Sequence, residues 1–296
     1  MVELGLPVEH VQDRPVEVGE AELVLIWGAP WWYPQAVRSL LRMRPAERPR
    51  TLIWHSEPLP LPRAAGFPVQ RRSPREVAKI ALRDARVADA RSNLQRLVRL
   101  AESGVPDVLA VPYAASAETL ADHGLQAHLV PIGSGPRHCV DLGLERDVDV
   151  VFIGARDVPR RKHLFRGLRR AGIDVLAVGG WSPSSFLGGS RRDELLNRTK
   201  VLLNLARFPG QLSGHRFILG MGAGAVVASE PVYRPEPFVP GTHYVSAELD
   251  ALPDAIAQLL DDGARRTAIA AAARRFVCEE LTMRRSLEQL AALVAQ

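Results

Sequence analysis

The sequence predicts an α/β protein built as two successive units, each a parallel sheet flanked by helices. Three observations carry this. Short apolar runs ending in glycine or a polar turn recur along the chain, amphipathic helical stretches separate them, and the alternation runs through twice, on either side of Gly133-Ser-Gly-Pro136. Alternating strand and helix implies parallel pairing with right-handed crossovers. With 296 residues, 47% hydrophobic and 24% charged, the chain can build two ordinary cores. Disordered and fibrous architectures do not fit.

In the first series, residues 1–20 are polar and proline-spaced and read as an irregular arm. Glu22-Leu-Val-Leu-Ile-Trp-Gly28 is a buried strand closed by glycine. Pro30 to Met43 reads as a helix with proline near its start. Arg50-Thr-Leu-Ile-Trp54 is a second strand, and the proline- and arginine-rich stretch from Leu59 to Pro74 is a loop. Ser73 as N-cap, Pro74 at the first position and Glu76 three residues after the cap start a long helix that Gly104 ends. Strand Asp107–Val111, helix Ser116–His123 and strand Ala127–Ile132 follow.

The second series reads as strand Asp147–Ile153, helix Pro159–Ala171, strand Ile173–Val178, a small-residue loop over 182–190, helix Arg191–Arg198 and strand Lys200–Leu205. Gly214–Ala223 reads as a glycine-rich helix start and Ala225–Ser229 as another buried strand. From Leu252 the chain is helical with breaks near Gly263 and Thr282.

Several function classes drop out on composition. The formal charge is +5 and almost entirely arginine, since the only lysines are Lys79, Lys162 and Lys200. With the many alanines this fits a GC-rich, bacterial genome, so no nucleic-acid partner is expected; a basic excess also suits a phosphorylated ligand. Apolar runs such as Val148–Ile153, interrupted by Asp149, are too short to span a bilayer. The start, MVELGLPVEHVQD, has no signal-peptide pattern, so a cytoplasmic protein is expected. Cys139 and Cys278 lie far apart with no metal-type spacing and are expected as free thiols. His138, His163 and His243 share no ligand spacing, so no metal is expected, and neither a hydrolase elbow nor a Walker loop is present.

An ordered series of segments carries a resemblance. It begins with Asp149-Val-Val-Phe-Ile-Gly154 and the Arg160-Arg161 pair, then Asn197-Arg-Thr-Lys-Val-Leu-Leu-Asn204. His215-Arg-Phe-Ile-Leu-Gly-Met-Gly-Ala-Gly-Ala-Val-Val-Ala-Ser229 comes next, then Phe238-Val-Pro-Gly241 and Leu281-Thr-Met-Arg-Arg285. Over roughly half the chain this resembles the GT-B glycosyltransferase family that includes spore-maturation-type proteins (glycosyl transferases group 1-like). The resemblance implies two Rossmann-like domains facing each other across a cleft. Residues 1–146 would be the acceptor side and 147–281 the nucleotide-sugar side, with a helix over 282–296 packing back on the first. It also implies transfer of a sugar from a nucleoside diphosphate sugar to an unknown acceptor (a small molecule, glycan or peptide), with no cofactor beyond that donor.

One departure from the family pattern bears on the donor. Arg216 and Gly224 match, but the position where the family carries a ribose-binding glutamate holds Leu219, which cannot accept a hydrogen bond. Glu230, Glu236 or backbone carbonyls of the glycine-rich turn are the expected substitutes. The alternative is a non-catalytic GT-B-like protein that binds a ligand or partner; an epimerase- or phosphorylase-type enzyme on the same scaffold is a third reading.

Candidate residues follow from strand ends, where doubly wound sheets bind ligands. Gly154 between a strand and a helix would admit a pyrophosphate, with Arg160 and Arg161 as forked donors. The competing reading is a tight turn with solvated arginines. His215 and Arg216 open the glycine-rich turn from Gly220, which serves either ligand approach or close packing on the sheet. Asn204 ends a strand and bonds either ligand or loop. Gly180 and Trp181 lie where the base docks in the family, Trp181 stacking on it or covering the core edge. In the first half, Gly28, Trp31 and Trp32 are an acceptor wall or a buried helix start. His55 and Glu57 follow a strand end as candidate bases toward an acceptor hydroxyl, or as turn chemistry before Pro58.

Overall fold

The structure, a computed structural model, describes residues 18, 21–67, 74–81, 90–154, 159–179 and 187–295. The expected N-terminal arm (apart from Val18), the Ser73 cap, Gly180, Trp181 and much of the small-residue loop after them lie outside the described residues.

The first unit holds a four-stranded parallel sheet in the order β1 (Leu23–Trp27), β2 (Arg50–Trp54), β3 (Val108–Val111), β4 (His128–Leu129). The ladder continues past the strands: the Gly28 N–H donates to the Trp54 carbonyl at 3.0 Å and the His55 N–H to that of Ala110 at 2.8 Å. Apolar residues of the strands, among them Ile26, Ile53 and Leu109, pack with Leu40, Leu97 and Leu120 from helices α1 (Pro34–Arg42), α3 (Ala90–Glu102) and α4 (Ala114–Ala121). The expected helix over 30–43 is interrupted. Pro30–Trp32 forms a single 3-10 turn and α1 restarts at Pro34, whose missing N–H suits a first helical position. The long helix expected from Ser73 is seen as α2 (Pro74–Ala81) and α3, with 82–89 outside the description.

The second unit holds a five-stranded parallel sheet in the order β6 (Val175–Val178), β5 (Val148–Ile153), β7 (Thr199–Asn204), β8 (Val226–Ser229), β9 (Tyr244–Ser246). Strand β6 lies on one side of β5, and β7, reached by a crossover from β6, lies on the other, so a crevice opens where these strands end. Helices α5 (Pro159–Arg170), α8 (Leu252–Asp261) and α9 (Gly263–Arg275) supply one apolar layer, with Leu164, Leu168, Ile256 and Ile269 packed on Val150 and Phe152. Helices α6 (Gly189–Asn197) and α7 (Gly214–Gly222) place Leu196, Leu219 and Ala223 against Val151 and Leu202. Gly220 lies flush on the sheet: a Cβ there would come within 2.6 Å of Leu202 and 3.1 Å of Val227. The last helix is α10 (Met283–Ala295).

The compact units are Met1–Pro131 with Ser286–Gln296, and Ile132–Arg285. The segment 132–146, expected with the first unit, therefore belongs to the second. The Ser134 N–H donates to the Leu281 carbonyl at 2.8 Å, and Arg146 donates to the carbonyls of Thr199 at 2.6 Å and Ala223 at 2.7 Å. Within the first unit the Ser286 hydroxyl donates to the Pro131 carbonyl at 2.6 Å and Arg50 to that of Val294.

Cys139 and Cys278 correct another expectation: they form a disulfide, with Cα atoms 5.8 Å apart across 139 positions of sequence. Both lie inside the second unit, and closing so long a loop removes chain entropy worth about 5 kcal/mol from the unfolded state. No helix among the described residues is long and apolar enough to cross a membrane.

Candidate functional site

Strand β5 ends at Gly154, whose φ of +148° favours glycine. Its N–H donates to the Val178 carbonyl at 2.8 Å. A Cβ at this position would stand 3.2 Å from the Phe152 ring and 3.5 Å from Arg216 Nη2, so the bare backbone lets the guanidinium come close.

Arg216 sits in the first turn of α7 and reaches over the ends of β5 and β7. Nη1 donates to Asn204 Oδ1 at 2.6 Å and Nη2 to the Ile153 carbonyl at 3.2 Å. Asn204 is fully buried and locked from the other side, its Nδ2 donating to Ser229 Oγ at 2.8 Å while that hydroxyl donates to the Glu230 carbonyl at 2.7 Å. Arg161, 7% exposed on α5, donates to the Leu205 carbonyl at 2.9 Å. The guanidinium carbons of Arg161 and Arg216 lie 5.1 and 5.3 Å from the same Phe152 ring. The ring's electron-rich face offsets part of the cost of crowding them. Burial, and then the neighbouring Arg161 charge, lower the Arg216 pKa to about 10, which leaves it cationic at neutral pH. Together with the partial positive charge at the start of α7, two cations converge where the sheet opens, an arrangement suited to a phosphate or diphosphate.

His215 is exposed as a residue, but its ring lies edge-on to that of His138, centroids 5.9 Å apart. Crowding of the ring lowers its pKa first, followed by His138, Arg192 and Arg216. Of the expected donor-side residues, Gly154, Arg161, Asn204 and Arg216 are thus brought together, with His215 beside them. Arg160 lies on α5 but its side chain is outside the description, as are Gly180 and Trp181. Gly220 serves helix-on-sheet packing, so it does not belong to the ligand surface. Leu219 is 7% exposed in an apolar cluster and offers no hydrogen bond. Of its expected substitutes, Glu230 is buried and accepts the Ala206 N–H at 3.1 Å, and Glu236 lies on the surface 3.7 Å from Arg234. Phe152, against which both arginines lie, is the residue of this cluster that sequence reasoning passed over; an aromatic two positions before a strand-ending glycine was its signal. Among the described residues no group of three His, Cys, Asp or Glu side chains could hold a metal ion.

The first unit ends its strands differently. His55 is 1% exposed, with its ring 5.5 Å from that of Trp31. Gly28 offsets its burial only in part: neither ring nitrogen reaches hydrogen-bond geometry, and the pKa falls to about 4. Burial both screens the His55 ring and weakens it as a base, so the structure does not support it as the candidate base toward an acceptor hydroxyl. Glu57 is half-buried, with its pKa raised by that burial. Trp31 also receives Arg96 at 5.3 Å and is part of the packing. Trp32, 51% exposed, covers Gly28, where φ is +101° and a Cβ would meet its ring at 3.3 Å.

Residues 160–292 match the family described as glycosyl transferase-like. No curated protein matches the chain. Among solved structures, TarM of S. aureus aligns over 92% of this chain at 12% identity with a TM-score of 0.65. This chain spans about half of TarM, 55% of its length. HepE of Anabaena in complex with UDP-glucose aligns over 92% of this chain and 78% of its own, at 14% identity and a TM-score of 0.61. WaaG, a glycosyltransferase involved in lipopolysaccharide biosynthesis, aligns over 89% of this chain and 81% of its own, at 14% identity and a TM-score of 0.54. Such likeness shows the fold, which is that of the GT-B glycosyltransferases, two parallel α/β sheets in succession. The residues matched by the family model fall largely within the segment that carries the resemblance, and the two-sheet fold it implies is the fold observed.

Proposed function

We propose that this chain is a glycosyltransferase that moves a sugar from a nucleoside diphosphate sugar to an acceptor. The observation that carries the reading is the pair of arginines, Arg161 and Arg216, held against Phe152 where β5 and β7 end beside Gly154. When the glycosidic bond breaks, the leaving diphosphate gains negative charge. Cations already fixed in place stabilise that charge without reorganising. Arg160, Gly180, Trp181, Asn204 and His215 belong to the donor side in this reading. Glu57, whose carboxyl is pushed above its ordinary pKa by burial and is so a stronger base, and Trp32 with Gly28 belong to the acceptor side. HepE is seen with UDP-glucose, which makes UDP the first donor base to try. The acceptor class, small molecule, glycan or peptide, is left to the assay.

The test is thermal stabilisation by a panel of nucleoside diphosphates and their sugars, since a ligand that binds the folded state alone raises its melting temperature. Stabilisation by at least one diphosphate, absent in Arg216→Ala, is the expected result. No response to any nucleotide at millimolar concentration would overturn the reading. Leu219 favours one alternative, a protein that binds the donor without using it; tight donor binding with no transfer across a broad acceptor panel would establish that instead. The redox state of the native protein reports on its compartment. A cytoplasmic enzyme would keep Cys139 and Cys278 as thiols, and a bridged one marks an oxidising environment.

A further inference from the structure

Cys139 closes the 3-10 turn Pro136–His138, and Cys278 lies in the π-helical turn Phe276–Glu280 that follows α9. Both cysteines are half-buried, beside the exposed Val140 and Glu279, rather than sealed in the core. Their bridge is not the only tie between the two turns. The Ser134 N–H donates to the Leu281 carbonyl and the Met283 N–H to that of Ser134, each at 2.8 Å, and the Ser134 hydroxyl donates to the Val277 carbonyl. These bonds do not depend on the sulfurs, so the bridge can open while the two turns stay joined.

The first of these turns also lies along α7. His215, Leu219 and Gly222 form one stripe of that helix, at spacings of four and three. At its far end the His138 carbonyl sits so close to Gly222 that a Cβ there would come within 2.2 Å of the oxygen. At its near end the His138 ring meets that of His215 edge-on, centroids 5.9 Å apart. Arg274 of α9 donates to the carbonyls of Gly222 at 3.2 Å and Cys139 at 3.1 Å, tying the end of α7 to the bridged residue itself. Parts packed this closely transmit a displacement rather than absorb it. Two thiols cannot sit as near each other as two bonded sulfurs, so breaking the bond shifts Cys139 and the turn before it against α7, whose first turn carries Arg216. We infer that the Cys139–Cys278 bridge is a redox switch on the cationic site: bridged, the chain holds Arg216 in place for a diphosphate, and opened by a dithiol reductant it binds that group more weakly. In the exchange one thiolate of the dithiol attacks a sulfur of the bridge and the other resolves the mixed disulfide. Two electrons and two protons pass to Cys139 and Cys278, and the reductant leaves as its own disulfide. This rests on the donor site proposed above.

Calorimetry with UDP, ADP and GDP on the full chain, before and after treatment with dithiothreitol, tests it. Whichever diphosphate binds best should bind the bridged chain at least about fivefold more tightly than the reduced one, the lower end of the usual coupling between two sites. Reoxidation should restore the affinity. The double variant Cys139→Ser with Cys278→Ser should bind at the reduced level with and without dithiothreitol, and near-ultraviolet circular dichroism should keep its native signal in every form. If the double variant does not fold, reduction and reoxidation of the wild type decide alone. Equal affinity of bridged and reduced chains would overturn the switch while the donor site stands. Loss of the native signal on reduction would make the bridge a staple of the whole unit and overturn the switch as well. Failure of the bridged chain to bind any of these diphosphates would overturn both.

Discussion

Both units are parallel sheets, and they treat charge at their strand ends in opposite ways. In the first, His55 follows β2, is buried against Trp31, and is held neutral by burial. In the second, Arg216 reaches the ends of β5 and β7, is equally crowded, and stays cationic because Asn204, the Ile153 carbonyl and the Phe152 ring receive it. Desolvating a charge is costly, and a fold keeps one only where fixed dipoles answer it. The difference shows that parallel topology alone does not make an anion site. The second unit commits an asparagine, a serine and a main-chain carbonyl to holding one guanidinium, and the first commits nothing comparable to its imidazole.

The largest expected effect tests whether the uncharged end has any chemistry. Glu57→Gln should lower transfer about 10²- to 10⁴-fold, the usual contribution of a general base, with donor affinity unchanged. Because burial raises the Glu57 pKa, transfer in the wild type should rise with pH along a limb above the ordinary carboxylate range. A variant of full activity would leave the first unit without a catalytic carboxylate here.

The neutrality of His55 has a thermodynamic signature. Between pH 6.5 and about 4 the unfolded chain binds a proton at this residue and the folded chain does not. Its contribution is therefore complete above pH 6.5 and is lost as pH falls through that window, on the order of 3 kcal/mol in all. Urea titrations at pH 7 and pH 4.5 should show a smaller drop for His55→Phe than for wild type. Equal drops would mean that the ring is charged or solvated in the native state.

On the charged side, Arg216→Ala should weaken nucleoside diphosphate binding about 10- to 100-fold, the loss of one charge-assisted contact. Arg265→Ala, in the first turn of α9 and away from these strand ends, should leave it unchanged by calorimetry. Gly154→Ala carries a smaller penalty, roughly 1–3 kcal/mol of stability by thermal melting, because φ is positive and the new methyl faces Phe152 and Arg216. If it melts like wild type, the backbone has room to move and the close approach to Arg216 is not built in.

Much of the fold was legible because buried parallel strands leave a local signature. Leu52–Trp54 and Val150–Ile153 are continuous apolar runs, and the breaks expected near Gly263 and Thr282 fall at the start of α9 and just before α10. The three-residue strand β9 carries too little periodicity to read. The site was half legible: strand-ending Gly154 and Asn204 announce themselves, but the bond from Arg216 to Asn204 joins residues on different elements, and no local pattern encodes it. Gly220 and Gly154 look alike as letters, yet one packs on Leu202 and the other stands beside a guanidinium. The Cys139–Cys278 bridge was hidden for the same reason, its partners lying 139 positions apart.

That bridge has a consequence for handling the protein. It ties the chain into a covalent ring that contains β5 through α9. A single peptide-bond cut anywhere inside the ring therefore leaves both fragments joined. On a denaturing gel without reductant such a nicked chain would run as one species near 32.5 kDa, and only reductant would release two. Preparations judged intact by non-reducing electrophoresis can thus conceal proteolysis in the unit that carries the donor site.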